Sequence, residues 1–208
     1  MPHTAPPISG IILAGGRARR MANQDKGLID LAGRPMIDYV IQALRPQVDE
    51  LLINANRNLI QYRQFGCQVV PDQIPDFAGP LAGVAAGLET ARHDLLLSVP
   101  CDGPWLPHDL VNRLFLQLQT EQADLCVVHD GQRLQPVYGL FRRQLAADIR
   151  SFLAAGDRKI LLWLERQRTA VADFSDHPEA FVNLNTPEEQ QRIEQLIVIS
   201  SRPDPKGA

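Results

Sequence analysis

Short apolar runs alternate with helical repeats along most of the chain. In three segments the apolar residues recur at the i, i+3, i+4 spacing that places them on one face of a helix: Met36 to Leu44, Leu81 to Leu88 and Leu110 to Leu118. Seven short apolar runs predict buried strands: Ile8 to Leu13, Leu51 to Ala55, Gln68 to Val70, Leu95 to Val99, Leu125 to Val128, Val137 to Phe141 and Ala170 to Phe174. Such alternation is typical of a largely parallel sheet covered on both faces. The pattern predicts a single-domain α/β fold, a three-layer α/β/α arrangement with a mostly parallel sheet.

The length of the chain sets the expected domain organisation. With 208 residues, of which 45% are hydrophobic, the chain can bury one sizeable core. We expect one domain over residues 8–199, with disordered ends at residues 1–7 and 200–208. Thr186, Pro187 and Glu189 match a capping box with proline at the first helical position, which predicts a last helix through Leu196.

Charge and composition exclude several classes of partner. The 24 acidic and 21 basic residues give a formal net charge of −3, so no global positive field gathers nucleic acid or an anionic membrane. No apolar stretch reaches the length of a membrane span, and the start "MPHTAPP" lacks an apolar signal-peptide core. We therefore expect a cytoplasmic protein. The three cysteines, Cys67, Cys101 and Cys126, show no CxxC spacing and are expected to be reduced core thiols.

The first predicted strand ends in a glycine-rich basic loop, "IILAGGRARRMANQDKGL". Gly15 and Gly16 let the backbone turn sharply and bring its N–H groups close to phosphate oxygens. The loop is neither the GxGxxG of dinucleotide folds nor the GxxxxGK[ST] of P-loops. Positive charge within reach of the same pocket comes from four side chains: Arg17, Arg19, Arg20 and Lys26. We interpret the loop as a phosphate cradle of a third kind, although Arg17 is also compatible with solvated surface.

Polar side chains follow three other predicted strands. Asp102 lies after the strand Leu95 to Val99, Asn54 falls at the end of "LLIN", and Asp72 follows "QVVP". Ligands of open parallel sheets bind beyond the carboxyl ends of the strands, where the strand order reverses. A strand order of the 3-2-1-4 type would bring Asp102 beside the glycine loop, where its carboxylate suits a nucleotide-bound Mg²⁺. Each of the three polar residues is alternatively a simple turn former.

Several motifs together point to one family. The segments are "GIILAGGRARRM", "DKGL", "LAGRPM", "NANRN", "GPLAG", "PCDGPWLP" and "FVNLNTPEE". In combination they resemble the molybdenum cofactor guanylyltransferase family, within the Rossmann-like, GT-A-like nucleotidyltransferases. The "LAGG…RM…DK" part alone marks only the wider group. One departure is Ala22-Asn23 after Met21, where family members often have glycine.

The resemblance implies an enzyme that transfers GMP from GTP to the terminal phosphate of molybdopterin or molybdenum-molybdopterin, releasing pyrophosphate. Lys26, Asp102 and Arg20 would be catalytic, and Asp102 would also bind the cofactor Mg²⁺. With the loop and helix-start glycines included, the nucleotide site comprises Leu13, Ala14, Gly15, Gly16, Lys26, Asn54, Asp72, Gly79 and Asp102.

A second group of residues is assigned to the pterin substrate: Arg19, Arg158, Lys159, Asn183 and Asn185. The segments "GDRKI" and "VNLN" offer cations and amides without an apolar role, although a surface turn and a helix-capping asparagine would also account for them. Proteins that deliver molybdopterin or accept the product would be further partners, which the sequence leaves open.

Two other functions stay open at this stage. One is a nucleotidyltransferase that uses CTP or a sugar phosphate. The other is a non-catalytic nucleotide- or pterin-binding carrier, which would have no need for a metal-binding Asp102 aligned on an α-phosphate.

Overall fold

A computed structural model of the chain describes residues 6–16, 25–74, 79–184 and 189–191. Within these residues the strands are β1 (Ile8–Leu13), β2 (Asp30–Leu31), β3 (Arg34–Pro35), β4 (Glu50–Asn54), β5 (Gln68–Val70), β6 (Leu95–Pro100), β7 (Leu125–His129), β8 (Leu134–Arg142) and β9 (Thr169–Asp173). The helices are α1 (Met36–Leu44), α2 (Leu59–Arg63), α3 (Pro80–Thr90), α4 (Leu110–Thr120), α5 (Leu145–Ala154) and α6 (Ile160–Leu164).

The main sheet has the order β5-β4-β1-β6-β8-β7-β9. Neighbouring strands are parallel except where β8 pairs with β6 and β7. The predicted 3-2-1-4 arrangement is therefore present as β5-β4-β1-β6, and the mostly parallel sheet is confirmed. In this register Leu13 lies opposite Asn54 on one side and Pro100 on the other. The carboxyl ends of β1, β4 and β6 consequently meet at one edge, which is where the polar strand ends were expected to converge.

Two apolar clusters fill the space on the two faces of this sheet. One cluster packs α1 and α4 against the sheet and contains Ile12, Ile37 and Leu114. The other packs α3, α5 and α6 against the opposite face and contains Ile11, Val84 and Trp163. Ile11 and Ile12 are adjacent in β1 and point to opposite faces, as expected for a strand that is buried on both sides. The three-layer α/β/α prediction is confirmed.

Several elements were not predicted from the sequence. They are the β2–β3 hairpin, the one-turn helices α2 and α6, and helix α5. The three cysteines are free and buried, as predicted. Of the predicted disordered ends only residues 6 and 7 are described, and most of the predicted last helix also lies outside the described residues. In the described part of the chain no helix is both long and apolar enough to cross a membrane.

Candidate nucleotide-binding site

A pocket of about 390 Å³ opens where β1, β4 and β6 end. The described residues of its lining include all nine predicted nucleotide-site residues: Leu13, Ala14, Gly15, Gly16, Lys26, Asn54, Asp72, Gly79 and Asp102. These residues come from separate stretches of the chain, and the sheet topology brings them together. The pocket lies within the size range of small-molecule sites in proteins.

The turn after β1 forms the floor of the pocket. The Ala14 amide donates to the Asn54 carbonyl at 2.8 Å, and the Cys101 amide donates to the Leu13 carbonyl at 3.2 Å. These bonds extend the sheet pairing past the strand ends. A Cβ atom at Gly15 would lie only 2.8 Å from Asn56 Nδ2 and 2.9 Å from Asn54 Oδ1. Gly15 is therefore required for close packing against the next strand end, in addition to any contact with a phosphate.

Asn54 and Asp72 form one wall of the pocket and are hydrogen-bonded in a group with Asn56. The side-chain nitrogen of Asn54, Nδ2, donates to Asp72 Oδ1 at 2.8 Å and to the Val70 carbonyl at 3.0 Å. Asn56 Nδ2 donates to Asp72 Oδ2 at 2.7 Å, and Asn56 Oδ1 accepts from the backbone N–H of Asp72 at 2.8 Å. The Asp72 carboxylate is thus held by both asparagines, and each of its oxygens keeps a lone pair for a further donor.

Lys26 and Asp102 meet across the pocket. Lys26 Nζ lies 2.8 Å from Asp102 Oδ2, although the two residues are 76 positions apart in the sequence. Both side chains are largely covered, with 23% and 14% of their surface exposed. A cation and an anion are therefore juxtaposed at the carboxyl end of β6, at the position predicted for the phosphates and the metal.

The N-terminus of α3 closes another side of the pocket. Gly79 caps this helix with a φ of 84°, a left-handed conformation that favours glycine. Gly79 and Pro80 line the pocket, so the positive end of the helix dipole faces it. Deeper in the same helix, a Cβ at Gly83 would lie 2.4 Å from Asn54 Oδ1, which shows how closely α3 approaches the Asn54 side chain.

Cys101 and Tyr138 are neutral groups beneath the charged pair. Burial raises the pKa of the Cys101 thiol well above its ordinary value, and the adjacent Asp102 raises it further. The thiol is therefore protonated near neutral pH and is a poor nucleophile. Burial also raises the pKa of Tyr138, and its hydroxyl lies 3.4 Å from Asn183 Oδ1.

The predicted pterin residues are divided between two places. Asn183 lines the pocket, next to Leu184, whose amide donates to the Asp102 carbonyl at 2.9 Å. Arg158 and Lys159 are exposed and are not among the described residues of the lining. The Arg158 guanidinium donates to the Leu153 carbonyl at 2.6 Å, at the end of α5. The Arg158 carbonyl oxygen lies 3.4 Å from the position that a Cβ at Gly79 would occupy, so this segment adjoins the rim at α3.

Some predicted residues lie outside the described part of the chain, and others were missed. Arg17, Arg19, Arg20 and the Ala22-Asn23 pair are not described, and neither is Asn185. The missed pocket residues are Asp25, Pro80, Pro100, Cys101 and Val137. Asn56 was also missed as the partner of Asp72, although its place in "NANRN" could have indicated it.

Sequence comparison identifies relatives that match most of the chain. A family model described as a MobA-like NTP transferase domain matches residues 10–171. A molybdenum cofactor guanylyltransferase of Shewanella sediminis is 50% identical over 190 residues, covering 91% of this chain and 97% of that protein. One of Shewanella putrefaciens is 51% identical over 186 residues, covering 89% and 95%.

The chain belongs to the molybdenum cofactor guanylyltransferase family. This finding confirms the family predicted from the motifs and places the chain among nucleotidyltransferase enzymes. A solved structure titled molybdopterin-guanine dinucleotide biosynthesis protein A, from Archaeoglobus fulgidus, superimposes with a TM-score of 0.75. The two sequences are 19% identical, and the superposition covers 92% of this guanylyltransferase family member and 99% of the Archaeoglobus fulgidus chain. This second likeness shows the shared fold.

The donors in the pocket can be compared with those that a magnesium ion requires. Among the described residues of this family member, no group of three or more acidic, histidine or cysteine side chains could hold a metal by itself. Mg²⁺ on a nucleotide needs only one or two carboxylates, because phosphates and water supply its other ligands. All three pocket carboxylates already accept from a neighbouring side chain, Asp25 from Tyr62, Asp72 from Asn54 and Asp102 from Lys26. Of the three, Asp102 lies just after the end of β6, where the sequence predicts the metal. The donor set suits a nucleotide-borne metal and does not suit an all-protein metal centre.

Proposed function

We propose that this pocket binds GTP and transfers its GMP part to the terminal phosphate of molybdopterin, or of molybdenum-molybdopterin. The observation that carries the proposal is the Lys26–Asp102 pair in a pocket lined by the predicted nucleotide residues. Family membership supports the substrates, since the relatives at about half identity are named molybdenum cofactor guanylyltransferases.

The phosphates of GTP bind at the turn after β1 and at Lys26. Gly15 and Gly16 line the pocket, where their backbone N–H groups would donate to phosphate oxygens, and the ammonium of Lys26 adds a charged donor. Charge-assisted hydrogen bonds of this kind are stronger than neutral ones, which suits the multiple charges of a triphosphate. The N-terminus of α3 adds a favourable dipole on the same side.

The nucleoside binds along the wall formed by Asn54 and Asp72. Guanine carries N–H donors on its pairing edge, and ribose carries hydroxyl donors. The Asp72 carboxylate can accept from such donors because the two asparagines occupy only part of its acceptor capacity. A base that offers no donor there leaves part of the Asp72 acceptor capacity unsatisfied, at a cost of about 1–3 kcal/mol.

The transfer needs positioning more than proton abstraction. An oxygen of the pterin phosphate forms a bond to the α-phosphorus, and the bond from that phosphorus to the bridging oxygen breaks. The electron pair leaves with pyrophosphate. The attacking phosphate is already ionised at neutral pH, so a general base is not required, and the protonated Cys101 and Tyr138 need not act as one. Lys26 orients the triphosphate and compensates its charge during the transfer.

Asp102 would hold the divalent metal, which we assign as Mg²⁺. When bound, Mg²⁺ supplies charge neutralisation on the phosphates of the nucleotide. We assign Asn183, which lines the pocket, to the pterin phosphate, together with the exposed Arg158 and Lys159, whose segment adjoins Gly79 through the Arg158 carbonyl.

Pyrophosphate release tests this proposal. The purified chain is incubated with Mg²⁺ and one of GTP, ATP, CTP or UTP, with and without molybdopterin. We expect release with GTP that depends on molybdopterin. Release with CTP alone among the nucleotides would replace the guanylyl assignment, and binding of GTP with no release under any condition would show a carrier instead of an enzyme.

A further inference from the structure

A buried carboxylate lies directly behind the phosphate-binding lysine. Asp25 is only 8% exposed, although it immediately precedes Lys26 and borders the pocket. Its Oδ1 accepts from the Tyr62 hydroxyl at 2.5 Å, and its Oδ2 accepts from the Asn58 amide at 3.0 Å. Arg57 Nε lies 3.5 Å from the same Oδ2. A buried charge is costly unless it is paired and hydrogen-bonded, and Asp25 meets both conditions.

All of these partners come from one short segment after β4. Arg57, Asn58 and Tyr62 lie in and just before helix α2, more than 30 residues from Asp25 in the sequence. Asn58 adopts the left-handed conformation, with a φ of 51°, at the N-terminus of α2. Asparagine tolerates this conformation better than most residues do. The backbone bend brings the Asn58 amide to Asp25.

Tyr62 is suited to be a permanent donor. Its side chain is fully buried, and burial, the nearby Cys101 and the bond to Asp25 all raise its pKa above the ordinary value. The phenol is therefore protonated throughout the physiological range. Its oxygen would also lie 2.7 Å from a Cβ at Gly27, so the absence of a side chain at Gly27 lets the loop lie against the ring.

These contacts account for the whole Asp-Lys-Gly motif. Asp25 is fastened to α2, Gly27 packs on Tyr62, and Lys26 between them extends to Asp102. The Asp25 carbonyl also accepts from the Leu28 amide at 2.9 Å, which closes a short 3₁₀ turn over Lys26–Leu28. The backbone is thus held on both sides of the lysine.

We propose that Asp25 and Tyr62 are positioning residues that act on the nucleotide through Lys26. This inference rests on the proposed function, since it assigns Lys26 to the GTP phosphates. Lysine has a long and flexible side chain, and fixing its backbone limits the positions that its ammonium reaches. We call the hydrogen bonds from Tyr62 and Asn58 to Asp25 the tether. Loss of the tether should therefore weaken GTP binding without removing any group that touches GTP.

The test uses Tyr62→Phe, which removes one hydroxyl and keeps the ring. The matched control is Tyr39→Phe, because the Tyr39 hydroxyl donates to the Leu31 carbonyl at 2.7 Å and Tyr39 is not among the described residues of the pocket. We expect Tyr62→Phe to raise the Kd for GTP about tenfold and to lower kcat/KM for GTP about tenfold. Tyr39→Phe should change each quantity by less than about twofold. Both readouts are repeated in a Lys26→Ala background, where Tyr62→Phe should have almost no further effect.

The outcomes separate this inference from the proposed function. An inactive wild-type enzyme would overturn the proposed function. If the wild-type enzyme is active and Tyr62→Phe has the same Kd for GTP and the same kcat/KM, the positioning role of Tyr62 is overturned and the proposed function is not. An equal loss with and without Lys26 would show that Tyr62 acts on general stability and not through the lysine. If Tyr62→Phe does not fold, Asn58→Gly replaces it, because glycine keeps the left-handed backbone and removes only the amide donor, with the same expectations.

Discussion

Charged residues of the pocket are each in contact with side chains that lie elsewhere in the sequence. Lys26 pairs with Asp102, Asp72 is held by Asn54 and Asn56, and Asp25 is held by Tyr62. In each case a charged group at the pocket is oriented by a neighbour. A substitution in such a pair therefore changes function through charge and orientation, with little loss of apolar packing.

At Asp102, we predict that Asp102→Asn slows GMP transfer by roughly 10²-fold or more, equivalent to about 3 kcal/mol, because the amide carries no charge for the metal. Turnover with GTP and molybdopterin measures the effect, and circular dichroism checks the fold. The control is Asp94→Asn, since the Asp94 side chain is 96% exposed and far from the pocket lining. Turnover of Asp102→Asn close to that of the control would remove Asp102 from the mechanism.

Residue chemistry was partly readable from the sequence. Lys26, Asn54, Asp72 and Asp102 could be proposed because polar residues at strand ends and glycines after a strand are local signals. Asp25 could not, because its burial depends on Tyr62 and on the left-handed Asn58, and no local pattern links these residues. Arg158 was proposed from its position in the chain; its guanidinium donates to the Leu153 carbonyl, and its contact with the pterin stays a prediction.

At the scale of elements, α3 approaches the sheet closely because small residues face it. A Cβ at Gly83 would meet Asn54 Oδ1 at 2.4 Å, whereas a Cβ at Gly87, one turn later, would meet the side-chain ends of Ile11 and Leu96 at 2.7 and 2.8 Å. The first contact is with a hydrogen-bonded pocket residue, and the second is with flexible apolar groups of the core. Gly83 therefore allows the close approach of α3 to the pocket, and Gly87 allows its close approach to the core.

For these glycines, we predict that Gly83→Ala raises the Kd for GTP by about tenfold or more, because the methyl group displaces Asn54 and with it Asp72. Gly87→Ala should leave the Kd unchanged and shift the free energy of unfolding by about 1 kcal/mol or less, since the gain in helix propensity offsets the overpacking. Calorimetry with GTP and chemical denaturation measure the two quantities. Equal GTP affinities in the two variants would contradict the role assigned to Asn54.

Elements with a clear apolar pattern were predicted well, including the three-residue strand Gln68–Val70, and the missed elements are short except for α5. The strand Ile8–Leu13 and helix Met36–Leu44 match their predicted bounds. Helix α5 was missed, although the spacing of its buried residues Leu145, Ile149 and Phe152 is helical. Helices α2 and α6 have five residues each, so they show too few periods to be recognised. The β2–β3 hairpin turns at Ala32 and Gly33, both with positive φ, and alanine gives no signal for such a turn.

At the scale of the whole molecule, the sheet order brings the two halves of the chain to one pocket. The ends of strands β5, β4, β1 and β6 supply most of the residues that we propose for the nucleotide, whereas Asn183 reaches the Asp102 side from beyond β9. Nucleotide and pterin are therefore expected to depend on different halves. The late pterin residues were the hardest to place from the sequence, because their contacts depend on how the chain returns to the sheet edge after β9.

Paired titrations test this division. Lys26→Ala should weaken GTP binding by about 1.5–3 kcal/mol, the value of a charged hydrogen bond, and leave molybdopterin affinity nearly unchanged. Arg158→Ala should weaken molybdopterin binding and leave GTP affinity nearly unchanged, because Arg158 is not among the described residues of the pocket lining. If Arg158→Ala weakens GTP binding and leaves molybdopterin affinity unchanged, the assignment of the two ligands to different halves of the chain is wrong.

The most direct measurement of the central proposal follows the α-phosphate of GTP. The enzyme is incubated with Mg²⁺, molybdopterin and GTP labelled at the α-phosphorus, and in a parallel reaction with GTP labelled at the γ-phosphorus, and the products are separated and weighed by mass spectrometry. We predict that the α-label and the mass of GMP appear on the pterin, and that the γ-label leaves as pyrophosphate. Recovery of the γ-label on the pterin, or of a pterin whose mass is unchanged, would contradict guanylyl transfer at this site.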